Sequence, residues 1–493
     1  MEPIGTITMY FPFLEGETTE ILQDIMNNAY NYYDFVQRLN ERVLSNGCPD
    51  SVIYFAIHHS ALLLDIDSID SIAKKYGKIP ILRPNLFYAS VHQGNSDDTV
   101  KVHESADAIL SSNPPIWLAA DMRCLKFEVD MLNYPQTLYD TENLDALMKI
   151  IQDTPGLKFY ETTVYDCLRE KAVKDGDTEE VIRCVERAIE SAEEFDDVVR
   201  LAYHLRTKFA FLQYTDRVEA RKLLIRARDI MESLGHKAGV ASMLYFLSKL
   251  EAIRGEYNSA IDRNLEVISI REAMELPKGP YSLMLSTLHN VIRNPESGLE
   301  WARMAEVDFE HDPAVKPRAI LNQAWALILM GKNTEALILI DSVRETIMKS
   351  GLEILLGWLS FVSGVYEMSS GDYESAARSI EDAIEVYEKK GSMDNLLIFH
   401  HHLAKIDVML ADISSNESSD GLALPWLALL EEKAVSEDLP GILGQVHLLK
   451  AELALALNDD DGLRLSIDKI RSLGKESSME FLNDELDLLL LRT

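Results

Sequence analysis

Histidine, cysteine and paired carboxylates are the side chains of this chain that could do chemistry, and their spacing argues against most of it. His400, His401 and His402 are consecutive, and His58 and His59 are adjacent. Consecutive helical residues point about 100° apart, so three in a row cannot share a face, and a metal would need ligands from a second helix. One histidine in the helix packing and two at the surface is the expected arrangement. Cys48, Cys124, Cys167 and Cys184 form no CxxC pair, which indicates neither zinc nor a redox motif. The run Asn458-Asp-Asp-Asp-Gly462 looks like the start of a calcium loop, but it lacks a glutamate at the twelfth position and falls where a turn between helices is expected. Gly331-Lys332-Asn333 lacks the upstream glycine and the following Ser or Thr of a phosphate-binding loop. Glu193-Glu194 and Asp196-Asp197 sit in a polar run, which reads as a solvated face and not as an acid–base pair in an apolar pocket. No GxGxxG, HExxH or GxSxG occurs. The sequence gives no warrant for an enzyme, a cofactor or a metal.

Binding chemistry is better represented. From Arg200 to Glu275 there are 13 basic and 10 acidic residues, whereas from Ala411 to the end there are 7 and 17. Arg206, Lys208, Arg217, Arg221, Lys222, Arg226 and Arg228 cluster within this basic stretch. A positive region inside an acidic protein suggests an anionic ligand such as an acidic tail; the competing reading pairs it internally with acids such as the 193–197 run.

The elements that must position these groups are helices in a regular array. A small or aliphatic residue recurs at Val181, Ala220, Ala260, Gly298, Ala336, Ala376, Ala423 and Leu463, at spacings of 39, 40, 38, 38, 40, 47 and 40. Seven residues after each stands Ala188, Ala227, Val267, Ala305, Val343, Ala383, Leu430 or Ile470. Such a period indicates stacked helical hairpins, each burying its face against its neighbours. Gly176, Gly255, Gly331 and Gly371 lie five residues before the small position, where a helix end can take positive φ. Asp177 and Asp372 follow as N-caps.

The unit from Gly357 to Lys390 carries a resemblance to the tetratricopeptide repeat (TPR): Gly364 fits the first-helix glycine, and Tyr373, Ala376 and Ala383 fit the second helix. The period exceeds the standard 34 residues and the closing proline is missing from most units, which resembles the longer-helix subclass of adaptors and sensor domains. The likeness covers about 141–476. It implies an all-α fold, a right-handed TPR-like helical-hairpin superhelix (α-solenoid). It also implies that the second, fifth, ninth and twelfth residues of each first helix face a concave groove. Those are Trp358, Phe361, Val365 and Met368 in one unit, and Arg318, Leu321, Trp325 and Ile328 in another. Tyr245 and Lys249 belong to a third. Trp325, Trp358 and Phe361 are the expected anchors for a peptide or helix, with Arg206 and Lys249 for charge; packing against adjacent helices is the competing use.

Three regions follow: 1–140, a divergent helical region of degenerate repeats; 141–410, TPR-like repeats; and 411–493, C-terminal repeats with a capping helix. In the first, Tyr10, Phe11 and Phe13 precede a helix expected over 18–45, whose stripe is Ile21, Ile25, Tyr32, Val36, Leu39 and Val43. Its second apolar face, with Leu22, Met26, Tyr30 and Tyr33, fits intramolecular burial first and homo-oligomer contact second. Further helices are expected near 50–64, 66–76, 100–111 and 115–133, with an irregular connection over 80–98. Polar residues 414–421 form a loop, and a solvating helix follows from about 478.

A formal charge of −33 from 81 acidic and 48 basic residues disfavours nucleic acid and anionic membrane. Met1-Glu-Pro-Ile lacks the basic start of a signal peptide, no apolar run reaches the roughly 18 residues of a membrane helix, and scattered thiols fit a reducing cytosol, so a cytoplasmic protein is expected. The leading expectation is a non-catalytic scaffold or adaptor for a protein or peptide partner; the alternative is a regulatory TPR protein sensing a small molecule or peptide.

Overall fold

The computed structural model describes residues 10–14, 16–45, 47–63, 65–92, 98–132, 141–213, 215–310, 312, 314–390, 395–414, 424–475 and 479–491. Among these there is no β-strand, and the fold is an all-α array of TPR-like hairpins. It divides into two compact units, Met1–Met243 and Leu244–Thr493.

Unit one begins with α1 (Gly16–Asn28), α2 (Tyr32–Ser45), α3 (Asp50–Leu63), α4 (Ile66–Tyr76), α5 (Arg83–His92), α6 (Asp98–Leu110), α7 (Ile116–Leu132) and α8 (Thr141–Asp153). It continues with α9 (Glu161–Asp175), α10 (Thr178–Glu194), α11 (Val198–Leu212), α12 (Arg217–Ser233) and the first part of α13 (Lys237–Ile253). The single helix expected over 18–45 is two. Asn31 Oδ1 accepts from the Asp34 amide as a helix start, and the Tyr33 amide donates to Leu234 O, so the chain is redirected between them. Tyr30, expected on the second apolar face, is exposed. The connection expected over 80–98 contains α5, because Pro84 falls in its first turn, where a missing amide costs nothing. Residues 93–97 of that connection lie outside the described residues.

Unit two continues with α14 (Tyr257–Ala273), α15 (Gly279–Val291), α16 (Pro295–Asp308), α17 (Lys316–Leu329), α18 (Asn333–Ser350), α19 (Glu353–Ser369) and α20 (Tyr373–Lys389). α21 (Leu396–Ser414), α22 (Pro425–Ser436), α23 (Pro440–Ala456), α24 (Asp460–Leu473) and α25 (Phe481–Leu490) complete it. The periodic small residues lie on the second helix of each hairpin, and Val181, Ala220, Ala260, Ala336 and Ala376 are buried. Leu463 is half-buried, and Ala423 lies outside the described residues, as do 415–421 of the expected polar loop. The companion column from Ala188 to Ile470 is buried throughout. Its closeness is visible at Gly364, where an added Cβ would come within 2.7 Å of Ile380 Cγ1. The turn glycines Gly176, Gly255, Gly331 and Gly371 hold φ of 72°, 77°, 74° and 83°. Asp177 and Asp372 cap the amides of Glu180 and Ser375, and the calcium-like run closes as a cap from Asp459 to Gly462 N.

The hairpins of unit two curl until the first meets the last. The Gly441 amide at the start of α23 donates to Arg254 O at 3.1 Å, and the backbones of Gly255 and Gly441 touch. Tyr257 and Phe481 pack edge to face at 5.2 Å, and the Phe481 amide donates to Asn258 Oδ1. The C-terminal helix α25, expected as a solvating cap, is therefore also the clasp of the ring. A Cβ at Gly441 would overlap the Gly255 carbonyl. Gly441→Ala is expected to cost about 1–3 kcal/mol, because two rigid backbones must part; urea unfolding measures it, and an unchanged midpoint would show that the seam closes without strain.

Candidate functional site

The ring encloses a lumen, one compartment of which is a cavity of about 540 Å³. α13 contributes Tyr245, Lys249 and Ile253, α15 contributes Leu283, Met284 and Thr287, and the turn before α17 contributes Phe309, Asp312 and Val315. Arg318 comes from the first turn of α17, Tyr387 from α20 and Ile398 from α21. The wall is aromatic and aliphatic, with a few polar groups, which is the composition of a ligand site.

Arg318 is the group that gives the cavity its chemistry. Its guanidinium carbon lies 3.9 Å from the centre of the Trp358 ring, and NH1 donates to the Tyr387 hydroxyl at 3.2 Å. Its Nε is sealed from solvent and meets no acceptor, and among the described residues no carboxylate is paired with it. Asp312 is the only carboxylate among the described lining residues, and its Oδ1 is engaged by the amides of Ala314 and Val315. A cation in the first turn of a helix opposes the helix dipole, so the site gathers positive potential from two sources. With the one lining carboxylate engaged in a turn, the cavity presents no acid–base pair or activated nucleophile among the described residues.

The residues expected in the groove divide in two. Tyr245, Lys249 and Arg318 line this cavity. Val365, Met368 and Ile328 line a second compartment further along the lumen. Trp325, Trp358 and Phe361 are at most 1% exposed and pack between helices, their rings 5.0–5.9 Å apart. Their expected anchor role is corrected to an interior one: Trp358 Nε1 donates to Asn322 Oδ1 at 3.0 Å, and its face supports Arg318. Leu321 is likewise interior. Arg206 belongs to unit one, where its guanidinium lies over the Tyr203 ring and burial lowers its basicity. In the surrounding basic cluster Lys208 pairs with Glu186, Arg226 with Glu193, Lys222 with Glu219 and Arg228 with Asp229, so much of that charge is met internally. Phe309, Tyr387 and Ile398 were not expected, because the family resemblance supplies first-helix positions only for three units.

Between the compartments lies a neck of about 50 Å³, lined by Tyr257, Asn290, His401, His402 and Gln445. All three consecutive histidines are drawn into packing, not one. His402 lies edge-on to Trp325 and Phe361 and pairs with Ile398 O, and His400 is buried. Burial holds His400 and His402 down at about 4, and His401 well below its usual value. The unfolded chain protonates these rings near pH 6.5, so it binds more protons than the folded chain between pH 6.5 and 4. Stability is thus full above about pH 6.5 and falls as the pH drops, by up to about 3 kcal/mol each for His400 and His402. His402→Leu is expected to flatten the loss between pH 7 and pH 5 in urea titrations; an unchanged slope would remove His402 from the acid response.

No protein-family model matches the chain, and no curated protein does. Among solved structures it is similar to the apo form of RapI, at 12% identity and a TM-score of 0.48, over 80% of this chain and 97% of that one. It is similar to a Rap protein complexed with Competence and Sporulation Factor, at 14% identity and 0.44, over 68% and 98%. A third is a signal transduction ATPase with a tetratricopeptide repeat sensor from Pyrococcus horikoshii, at 13% and 0.44, over 78% of this chain and 55% of that one. The neighbours are helical-repeat proteins of TPR type, the architecture this chain displays. None of the described helices is long and apolar enough to cross a membrane.

Proposed function

We propose that the protein is a non-catalytic scaffold that holds a short peptide segment of a partner in the lumen of residues 244–493, with an acidic group of that segment at Arg318. The observation that supports this reading is the Arg318 guanidinium, fixed on Trp358 without a counter-ion in an aromatic cavity of about 540 Å³. Arg318 is half-buried, and a partly desolvated cation without a counter-ion gains from an anionic occupant. The volume suits a segment on the order of four residues or a drug-sized molecule. The size of the cavity also fits the second reading, a regulatory protein that senses a free peptide or small molecule. Both predict the same charge selectivity.

The test is fluorescence anisotropy with a library of labelled pentapeptides, sorted by charge. Acidic members are expected to bind, and Arg318→Gln to weaken them about 10- to 100-fold, the worth of a charge-assisted hydrogen bond. Neutral peptides binding as tightly, or an indifferent Arg318→Gln, would overturn the assignment. Binding by free aromatic carboxylates but by no peptide would favour the sensor.

A further inference from the structure

The second lumen compartment has its own chemistry. It holds about 360 Å³ and is walled by Ile328, Leu329, Val365, Met368, Leu448 and Leu489. Four charged residues line it as well: Arg293, Lys405, Glu452 and Glu485. Arg293 Nη2 lies 3.6 Å from Glu452 Oε1. Glu485, brought in by the C-terminal helix α25, is different. Its Oε1 is sealed from solvent and meets no hydrogen-bond donor among the described residues. Burial pushes its carboxyl above the usual range, against the pull of Arg293 and Lys405.

Arg293 enters the compartment from a turn between helices. It stands 38 residues after Gly255 and 38 before Gly331, at the turn position those repeats fill with glycine. It nevertheless holds φ 55°, a conformation that costs about 1 kcal/mol for a side chain with a Cβ. Asp196, Glu275, Asp438 and Asn458 hold a φ of 53–55° at other helix ends, so the turn places Arg293 at the cavity without being particular to it.

We propose that this compartment binds a small zwitterion with an aliphatic body, of which an α-amino acid is the simplest carrier. Its ammonium donates to Glu485 Oε1, its carboxylate lies against Lys405 and Arg293, and its side chain fills the aliphatic wall. Charge balance selects the zwitterion. The compartment already holds two cations and two carboxylates, so an occupant with net charge would leave one charge uncompensated among apolar groups. A purely apolar occupant would leave the Oε1 acceptor unmet. The proposal goes beyond the peptide reading and does not depend on it, because no residue at Arg318 takes part.

Titration calorimetry on the full chain with three probes tests it: L-leucine, 3-methylbutylamine, which lacks the carboxylate, and 4-methylpentanoate, which lacks the ammonium. Leucine is expected to bind, with each truncated probe at least tenfold weaker. Glu485→Gln, which keeps the side-chain shape, is expected to weaken leucine about tenfold or more, as is Lys405→Met, while circular dichroism stays that of the parent. Arg318→Gln is expected to leave leucine binding unchanged, which separates this site from the peptide cavity. No heat with leucine up to about 10 mM would overturn the proposal. So would equal binding of a singly charged probe, or an indifferent Glu485→Gln.

Discussion

Trp358→Ala is expected to destabilise residues 244–493 by about 3–5 kcal/mol, the range for deleting a buried large aromatic. Trp358 is fully buried, with the rings of Phe361, Phe399 and Trp325 at 5.0, 5.8 and 5.9 Å. Its loss opens a cavity in that cluster and leaves Asn322 Oδ1 without its indole donor, while Asn322 Nδ2 still holds Thr287 Oγ1 at 3.0 Å. It also removes the surface on which Arg318 rests. Peptide binding should therefore vanish with Trp358→Ala for structural reasons, and Arg318→Gln is the variant that reads recognition alone. Trp358→Phe, which keeps most of the packing, is expected to lose only about 1–2 kcal/mol. Urea denaturation of the three proteins checks the order; a Trp358→Ala midpoint near that of the parent would place the indole outside the load of the core.

Asp121→Ala is expected to cost residues 1–243 about 3–5 kcal/mol. Asp121 is a buried carboxylate on α7 that accepts from three tyrosine hydroxyls: Tyr10 at 3.2 Å, Tyr160 at 2.9 Å and Tyr54. Burial, reinforced by this carboxylate, raises all three phenols well above their usual range, so each stays a donor at any physiological pH. Removing the acceptor strands the Tyr10 and Tyr54 donors at about 1–3 kcal/mol each and leaves Tyr160 only long bonds of 3.4 Å to Trp117 O and the Tyr10 hydroxyl, partly offset by relief of a buried charge. It also frees the start of the described chain, since Tyr10 packs on Phe55 and Phe159 at 5.1 and 5.2 Å. Trp117 is the one tryptophan of residues 1–243 and stacks on Phe55 at 5.8 Å, so its fluorescence reports this unit. Asp121→Asn, which keeps one acceptor oxygen, should fall between. If Asp121→Ala matches the parent in Trp117-monitored unfolding, the tyrosine cluster holds together by packing alone.

What the sequence discloses follows from range. The columns from Val181 to Ile470, the turn glycines and the aspartate caps are local, and backbone sterics and amide satisfaction set them within a few residues. Most therefore read correctly. The break at Asn31 fails for the opposite reason: it depends on Leu234 O, some 200 positions away. Groove residues fail in an instructive way. A tryptophan at a face-inward position serves equally as a ligand anchor or as filling between neighbouring helices, and the largest apolar side chains go to the interior. Lys249 and Tyr245 share the cavity wall with Arg318, as their register on the first helix implies. Arg318 carried its register but not its missing counter-ion, which only the surrounding side chains reveal. Glu485 lay in a helix whose acids looked uniformly solvating.

The seam between Gly255 and Gly441 changes how unit two should fold. In an open stack every contact is between neighbours, so unfolding can creep inward from either end, one hairpin at a time. Here contacts join residues 186 positions apart, and both termini of the array are pinned to each other. Loop closure on that scale costs entropy before any seam contact repays it, which places the closure late in folding and slows it. Once made, it suppresses fraying at the ends, so amide exchange in α14 and α23 should match that of the middle hairpins. A relocated break in the chain, with new termini at another turn and the old ends joined, would leave this closed circuit intact.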